Sequence, residues 1–181
     1  MTNSKFCIVL IIFICLCGCG SSYDVKELKS LANHYTINQA KKDGCLVMEE
    51  GTITSGQDVF DAFLKSTHKN ENAQIRIVNS YTDDEESQLL FIADVVFKNG
   101  KYITYSYENK DEQLYTQKFK YMIKDDVVGN PEALYTKGSV YILVNDASLS
   151  YDEIMKAILS STQETGKEDL SHFFIYQKFE D

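Results

Sequence analysis

The dipeptide Asn99-Gly100 is the feature that most constrains how this chain folds. Strand-like segments flank it on both sides, Leu89 to Phe97 before the dipeptide and Lys101 to Glu108 after it. An Asn-Gly pair between two such segments predicts a two-residue β-turn, because both turn positions need a positive φ angle. The chain is therefore expected to contain a tight antiparallel hairpin near its middle.

The turn also determines which residues of the two strands lie opposite one another. Both faces of the hairpin then carry apolar pairs, so we expect it inside a sheet and at least partly covered on both sides. Asp94 falls among apolar neighbours, and the Tyr105 hydroxyl is the expected partner of its carboxylate. The predicted pairs are Phe97 with Tyr102, Val95 with Thr104 and Ala93 with Ser106 on one face, and Val96 with Ile103, Asp94 with Tyr105 and Ile92 with Tyr107 on the other.

The remaining segments alternate between helical and strand-like patterns. Two capping boxes, Thr36-Ile-Asn-Gln39 and Ser150-Tyr-Asp-Glu153, each predict the start of a helix. The fold class predicted is α+β, a mainly antiparallel sheet of about five to six strands with N-terminal and C-terminal helices packed on it. Further helices are expected from Asp24 and Ser55, and further strands over Cys45 to Met48, Thr52 to Thr54, Ala73 to Thr82, Tyr115 to Lys124, Gly138 to Val144 and Ser171 to Phe179.

An unbroken apolar run, Phe6 to Cys17, follows a short polar start in which Lys5 is the only charged side chain. A helix needs about twenty apolar residues to cross a bilayer, so this run is too short for a transmembrane span. A charged start followed by a compact apolar stretch is typical of a secretory signal peptide. An uncleaved apolar anchor is the alternative, and both interpretations place the rest of the chain outside the membrane.

The residues that end this run, Leu16-Cys17-Gly18-Cys19, resemble the lipobox of bacterial lipoproteins. That motif has a leucine, a tolerant position, a small residue and a cysteine. The cysteine thiol receives a diacylglycerol, and signal peptidase II cuts in front of it. The resemblance implies lipidation of Cys19 and cleavage between Gly18 and Cys19. Cys17 fits less well as the acceptor, because Leu16 would then occupy the small-residue position.

Processing at this motif would divide the chain into a signal peptide at 1–18, a lipidated tether at 19–23 and a single extracytoplasmic domain at 24–181. Two acyl chains anchor a protein stably, so the expected location is the cell membrane, through lipid. The formal charge of the chain is −9 and Arg76 is its only arginine. This balance argues against a nucleic-acid partner, which needs a basic face, and predicts repulsion from anionic lipid surfaces.

Five cysteines are present, but only Cys19 and Cys45 would remain after processing. Because Cys19 is consumed by lipid, no disulfide can form within the mature chain. Cys45 precedes an apolar segment and is expected to be buried and inert. The alternative is a catalytic thiol, which needs a histidine close by to lower its pKa.

The other candidate catalytic and metal-binding residues form no recognised motif. His34, His68 and His172 show no zinc-site spacing, and the chain has no phosphate loop or nucleophile elbow. No catalytic residue, metal site or cofactor is therefore predicted. The acidic run Asp83 to Glu86 can hold calcium weakly, although a solvated loop is the expected interpretation.

Arg76, Tyr105 and Tyr107 are the candidate ligand-binding residues. A lone arginine between Ile75 and Ile77 can make a bidentate contact with a ligand carboxylate or phosphate. An internal ion pair is the competing interpretation. The tyrosines can line a binding face for a peptide or glycan, or they can simply pack as strand residues.

Several further segments occur in an order that is familiar from other proteins. They are Ala40 to Gly44, the helix bearing Phe60 and Phe63, Ile75 to Ile77, Tyr81-Thr82, Gly100 to Tyr105 and Glu108-Asn109. Together they resemble a family of small lipoproteins of Gram-positive bacteria, a domain of unknown function, over roughly residues 36–125. The chain departs from that family at Asp83 to Glu86, where a turn is usual, and it lacks the later cysteines. The resemblance implies a location and a compact domain, and no activity.

The function predicted is that of a non-enzymatic binding or accessory module, anchored at the cell envelope, with an unidentified protein or envelope component as its partner. One alternative is a small envelope hydrolase that uses Cys45. Another is an immunity or inhibitor protein whose acidic surface covers a basic partner. The mature chain is too short for a two-lobed solute receptor.

Overall fold

The computed structural model describes residues 28, 30, 31, 35–84, 87–108, 113–128, 137–159 and 171–180. The predicted signal peptide, the lipobox, most of the helix expected from Asp24 and the loops at 129–131 and 162–169 lie outside these residues. The strands are β1 (Leu46–Glu49), β2 (Thr52–Ser55), β3 (Ala73–Asp84), β4 (Ser87–Lys98), β5 (Lys101–Glu108), β6 (Leu114–Phe119), β7 (Tyr121–Val128), β8 (Lys137–Val144) and β9 (His172–Glu180). The helices are α1 (Ile37–Lys42), α2 (Gln57–His68) and α3 (Tyr151–Leu159).

The α+β class is confirmed, and the strands form two sheets. A six-stranded sheet has the order β2-β1-β3-β4-β5-β6, and a three-stranded sheet has the order β7-β8-β9. The prediction of a single sheet of five to six strands is therefore corrected, because there are two sheets. The described strand pairs are mainly antiparallel, as predicted, and the one parallel pair makes the larger sheet mixed. β1 pairs in parallel with β3, since the crossover through α2 returns the chain in its original direction.

The predicted strand from Tyr115 to Lys124 is wrong, because the chain changes sheets within it. Lys120 separates β6 from β7, and its backbone N–H donates to the Val144 carbonyl oxygen at 3.2 Å. Phe119, just before this bend, is buried in the main core. Both halves of the segment have strand-like composition, so the pattern of residues does not show where one sheet ends.

The hairpin at Asn99-Gly100 is confirmed in both turn geometry and register. The φ angles of its two turn residues are 53° and 71°. β4 and β5 pair in the predicted register along their length, from Phe97 with Tyr102 to Ile92 with Tyr107. Both strands lie inside the six-stranded sheet, as the apolar pairs on their two faces predict.

The capping sequence at Thr36 begins α1, and a glycine ends it. The Gln39 backbone N–H donates to Thr36 Oγ1 at 3.2 Å. Gly44 follows the helix with a φ of 72°, and the Cys45 N–H donates to the Ala40 carbonyl oxygen at 3.0 Å. This pattern is a Schellman motif, which needs the left-handed conformation that glycine adopts without strain. Cys45, which follows this motif, directly precedes β1.

The helix α2 begins close against β1 at Gly56. This glycine has a φ of 82°, and a Cβ added to it would lie 2.1 Å from the Cys45 carbonyl oxygen. The chain therefore needs glycine here for both its conformation and its lack of a side chain. The predicted apolar face of the helix is confirmed, since Phe60 and Phe63 are buried in the main core.

The capping box before α3 is also confirmed. The Ser150 N–H donates to Glu153 Oε2 at 3.0 Å, and the Glu153 N–H donates to Ser150 Oγ at 3.3 Å. Ile154 is fully buried against the three-stranded sheet, whereas Ile158 and Leu159 are exposed. The C-terminal helix thus packs on the smaller sheet. Packing of an N-terminal helix stays a prediction, because most of that segment lies outside the described residues.

The core fills the spaces on both sides of the six-stranded sheet. Its first face, which carries Ile75, Ile77, Ala93 and Val95, packs against α2 and against Leu143, Phe173 and Ile175 of the three-stranded sheet. Its second face carries Val78 and Ile92, which pack under Leu28, Tyr35 and Ile37. The α3 helix lies on the far side of the three-stranded sheet, away from that second face.

Candidate functional site

The second face of the six-stranded sheet changes in character along its strands. Antiparallel pairing sets the side chains of β3, β4 and β5 in rows, because paired residues point to the same side. The first row is apolar, the second holds an ion pair, the third is partly exposed and the fourth is basic. In order, the rows are Val78-Ile92-Tyr107, Arg76-Asp94-Tyr105, Gln74-Val96-Ile103 and Lys98-Lys101.

The apolar row at one end of this face is closed to solvent. Val78 and Ile92 are fully buried, and Tyr107 is only 1% exposed. Leu28 and Tyr35 belong to the same cluster and lie among these side chains. Tyr107, a candidate ligand-binding residue, therefore occupies a packed position and shows no ring surface to solvent.

Arg76 and Asp94 form a bidentate ion pair in the next row. Arg76 Nε donates to Asp94 Oδ1 at 2.7 Å, and Nη2 donates to Oδ2 at 2.8 Å. The Asp94 side chain is fully buried, while that of Arg76 is 18% exposed. The hydrogen bonds to Asp94 raise the pKa of the Arg76 guanidinium above its usual range, so Arg76 stays charged. The internal ion pair predicted as one interpretation of Arg76 is what the structure contains.

The partner of Asp94 could not be identified from the hairpin alone. Tyr105 lies opposite Asp94 on β5, as the register predicts. Arg76 lies opposite Asp94 on the other side, because β3 pairs with β4. The bidentate pair uses Nε and Nη2 of Arg76, and Tyr105 is half-buried on the other side of Asp94.

Cys45 lies under the covered end of the second face. The residue is 3% exposed, and its Sγ is 3.3 Å from the Tyr35 hydroxyl, which donates to Asp43 Oδ2 at 2.9 Å. Burial raises the pKa of the Cys45 thiol, although the Tyr35 hydrogen bond and the charge of Arg76 oppose this shift. The predicted burial of Cys45 is confirmed, and a neutral, enclosed thiol is a poor nucleophile.

The opposite end of the second face is open and basic. Val96 and Ile103 are half-buried, and Lys98 and Lys101 are exposed directly opposite each other. Lys118 of β6 is also exposed and pairs with Ile103. None of these three lysines forms an ion pair with the described residues. We call this surface, made of Val96, Lys98, Lys101, Ile103 and Lys118, the open basic face.

Two further lysines lie at the same end of the sheet. Lys120 directly follows β6, and Lys69 directly follows α2. The loop after α2 lies against the hairpin turn, because Asn70 Oδ1 is 3.6 Å from the position of a Cβ on Gly100. That loop also carries Glu71. Asp146 is also near this end, because the side chain of the preceding residue, Asn145, donates to the Lys118 carbonyl oxygen at 3.3 Å. Among the described residues at this end, lysines outnumber carboxylates, in a chain whose formal charge is −9.

The other candidate residues do not converge on a site. His68 is exposed at the end of α2, and His172 begins β9 with its ring 5.3 Å from that of Phe174. His34 lies outside the described residues, within which no three His, Cys, Asp or Glu side chains cluster as metal ligands. Asp83 and Asp84 end β3, whereas Glu85 and Glu86 lie outside the described chain.

A small cavity of about 130 Å³ lies between the two sheets. Met48, Gly51, Asn79 and residues 174–177 line it, and Asn79 Oδ1 is buried there without a hydrogen-bond partner among the described residues. Pockets for small organic ligands have volumes of about 300–1,000 Å³. The cavity is therefore too small for such a ligand.

Gly18 and Cys19 lie outside the described residues, as does the apolar run before them. Within the part of the chain that the structure describes, no helix is long and apolar enough to span a membrane. No protein-family model, curated protein or solved structure matches this chain. The function of the protein is therefore inferred from its own residues, and its resemblance to a lipoprotein family stays a prediction.

Proposed function

We propose that this protein is a lipoprotein anchored to the extracytoplasmic face of the cell membrane, and that its domain is a non-enzymatic binding or accessory module. The observation that carries the proposal is the apolar run Phe6 to Cys17 ending in Leu16-Cys17-Gly18-Cys19. A short apolar segment with a terminal lipobox-like sequence supports cleavage before Cys19 and lipidation of its thiol. The resemblance to small Gram-positive lipoproteins over roughly residues 36–125 supports the same location.

The state of Cys45 favours binding over catalysis. A thiol nucleophile needs access to substrate and a neighbouring base that lowers its pKa. Cys45 is 3% exposed, its hydrogen-bond partner is Tyr35, and burial raises its pKa. The hydrolase alternative therefore lacks an accessible nucleophile at this position, whereas exposed lysines that form no ion pair with the described residues offer a surface for binding.

Metabolic labelling with a fatty acid tests the anchor directly. The wild-type protein and Cys45→Ala should both be labelled, and Cys19→Ala should lose the label and accumulate as the uncleaved precursor. Cys17→Ala is the matched control, because it lies two residues away in the same segment and should remain labelled. Equal labelling of wild type and Cys19→Ala would contradict the proposal, and loss of label from Cys17→Ala alone would move the acceptor to Cys17.

A second candidate function is that of an immunity or inhibitor protein for a basic partner. The formal charge of −9 favours it, since complementary charge increases the rate of association. Co-purification at low salt should then retain a basic protein that elutes when the salt concentration is raised. If no basic protein is retained at low salt, this candidate fails and the binding module remains without a protein partner.

A further inference from the structure

We propose that the open basic face docks the anchored domain onto anionic lipid headgroups of the membrane that holds its lipid. This inference rests on the proposed function, because it takes Cys19 as the anchor. The surface consists of Val96, Lys98, Lys101, Ile103 and Lys118, and its partner is a layer of phosphate groups. Docking of this kind is the opposite of the repulsion from anionic lipid that the net charge of the chain predicts.

The first support is that these lysines form no ion pair within the part of the chain that the structure describes. Elsewhere in the described chain, Lys41 pairs with Glu49 and Lys124 pairs with Asp126. Lys98, Lys101 and Lys118 have no carboxylate partner among the described residues. Like charges directly opposite each other destabilise a sheet, so the pairing of Lys98 with Lys101 is unfavourable for folding alone. An anionic surface supplies the missing counter-charge.

The second support is the position of Leu28, the first described residue after the proposed anchor. Leu28 is buried at the covered end of the second face, and Cys19 lies nine residues before it. Nine residues span at most about 30 Å when extended. The open basic face lies on this same side, and six residues of β4 separate Ile92 from Lys98, a distance of about 20 Å. The tether is therefore long enough for the lysines to contact the bilayer that holds the lipid of Cys19.

The third support is the type of basic residue. Lysine presents a flexible point charge, whereas arginine presents a rigid fork suited to one bound phosphate or carboxylate. The exposed cations of this face are all lysine, and the one arginine of the chain, Arg76, is already paired with Asp94. Lysine stems can lie on the half-buried Val96 and Ile103 while their ammonium groups reach outward. Such a surface suits a diffuse layer of headgroups.

The formal charge of −9 does not prevent this contact. At physiological ionic strength the Debye length is about 8 Å, so only charges close to the membrane interact strongly with it. In the docked orientation, the lysines at this end of the sheet face the lipid. The distribution of charge therefore sets the orientation of the anchored domain.

Amine footprinting of the lipidated protein tests the proposal. The full lipoprotein is reconstituted in vesicles of phosphatidylcholine alone or with one third phosphatidylglycerol, and acetylation of each lysine is followed by mass spectrometry. Lys98, Lys101 and Lys118 should react several-fold more slowly on the anionic vesicles, and this protection should disappear in 1 M salt. Lys156, exposed on α3 away from the second face, should react equally on both.

A pair of triple variants provides the matched control. The variant Lys98→Gln/Lys101→Gln/Lys118→Gln should lose the protection of Lys120, which lies at the same end of the sheet. The variant Lys65→Gln/Lys156→Gln/Lys178→Gln removes three exposed lysines from α2, α3 and β9 and should retain it. Equal acetylation rates on the two vesicle types, or equal effects of the two variants, would overturn the proposal.

The outcomes separate this inference from the proposed function. If Cys19 carries no lipid, the protein does not enter the vesicle fraction and the anchor itself is wrong. If the protein is lipidated and vesicle-bound but its lysines react equally on both vesicles, only the docking is wrong. Protection that appears with added inorganic polyphosphate and not with phosphatidylglycerol would also overturn lipid docking, and would point to a soluble anionic polymer.

Discussion

The two ends of the second face of the six-stranded sheet share the same strands and register but differ in what covers them. At the covered end, Val78 and Ile92 are fully buried under Leu28 and Tyr35. At the open end, Val96 and its neighbours are only half-buried and are flanked by lysines. Strand pairing alone therefore does not decide which residues form core. The segment that packs over the sheet decides it, and this segment leaves the other end exposed.

The ion pair between Arg76 and Asp94 marks the boundary between these two ends. A buried ion pair adds little net stability relative to apolar residues, yet removal of one partner is costly because the other charge remains buried. Asp94 is fully buried and Arg76 is partly exposed, so the pair spans the change from core to surface. Substitutions at this boundary and at each end should therefore change the stability of the protein by different amounts.

The largest effect is expected from Arg76→Met. This substitution leaves the fully buried Asp94 carboxylate without its bidentate partner and should lower the free energy of unfolding by about 3–5 kcal/mol. Urea denaturation measures the change. The double variant Arg76→Met/Asp94→Leu should recover most of the loss, since no charge then remains buried. A loss below about 1 kcal/mol for Arg76→Met would show that the boundary is not a buried pair.

Matched substitutions at the two ends should differ clearly. Ile92→Ala removes a fully buried side chain at the covered end and should cost about 2–5 kcal/mol of unfolding free energy. Ile103→Ala makes the same change at the half-buried open end and should cost less than about 1.5 kcal/mol. Chemical denaturation of both variants gives the two values. Equal losses would mean that the open end is also core.

The thiol of Cys45 reports whether the covered end stays closed. In the native protein, alkylation of the Cys45 peptide by iodoacetamide should be about a hundredfold slower than in the unfolded chain, which corresponds to a local opening of about 3 kcal/mol. Mass spectrometry of that peptide provides the rate. Alkylation as fast as in the unfolded chain would contradict the enclosed position of this thiol.

The free energy of unfolding should also depend on pH through the Cys45 thiol. Burial raises the pKa of Cys45 in the folded protein, so folding favours the protonated thiol. Its contribution to stability should be complete below the pKa of the unfolded thiol, about 8.5, and should be lost as the pH rises through the higher folded value. Cys45→Ala is the control, because without the thiol the protein should not show this part of the loss of stability at alkaline pH.

The smallest effect is expected at the open end itself. Lys98→Glu places a carboxylate opposite Lys101 and should raise the free energy of unfolding by about 0.2–1 kcal/mol, because it replaces a like-charge pair. The gain should shrink at high salt. Lys156→Glu, on α3, is the comparison variant and should show no such gain. A loss of stability in Lys98→Glu would indicate that Lys98 has a structural role.

Local signals in the sequence predicted the hairpin and the helix starts correctly. Asn99-Gly100 determines a turn through backbone conformation, and the turn then determines every pairing between β4 and β5. Thr36 and Ser150 likewise act within a few residues of their own positions. These features could be read from the sequence because the residues that cause them are neighbours in the chain.

Features that depend on distant segments could not be predicted in this way. The parallel pairing of β1 with β3 and the pairing of Arg76 with Asp94 both depend on strands far apart in sequence. The open basic face has the same origin. Lys98 and Lys101 could be paired from the hairpin, but the position of Lys118 beside Ile103 depends on β6. The segment that covers only the other end of this face, with Leu28 and Tyr35, is also distant in sequence from these residues.

The orientation of the lipidated protein on a bilayer shows whether the open basic face meets the membrane. A spin label at Thr116→Cys lies on the second face, opposite Tyr105, and one at Lys156→Cys lies on α3, away from that face. On vesicles containing phosphatidylglycerol, the label at position 116 should collide less with a water-soluble nickel chelate, while the label at 156 should not change. Equal accessibility of the two labels on those vesicles would contradict the account.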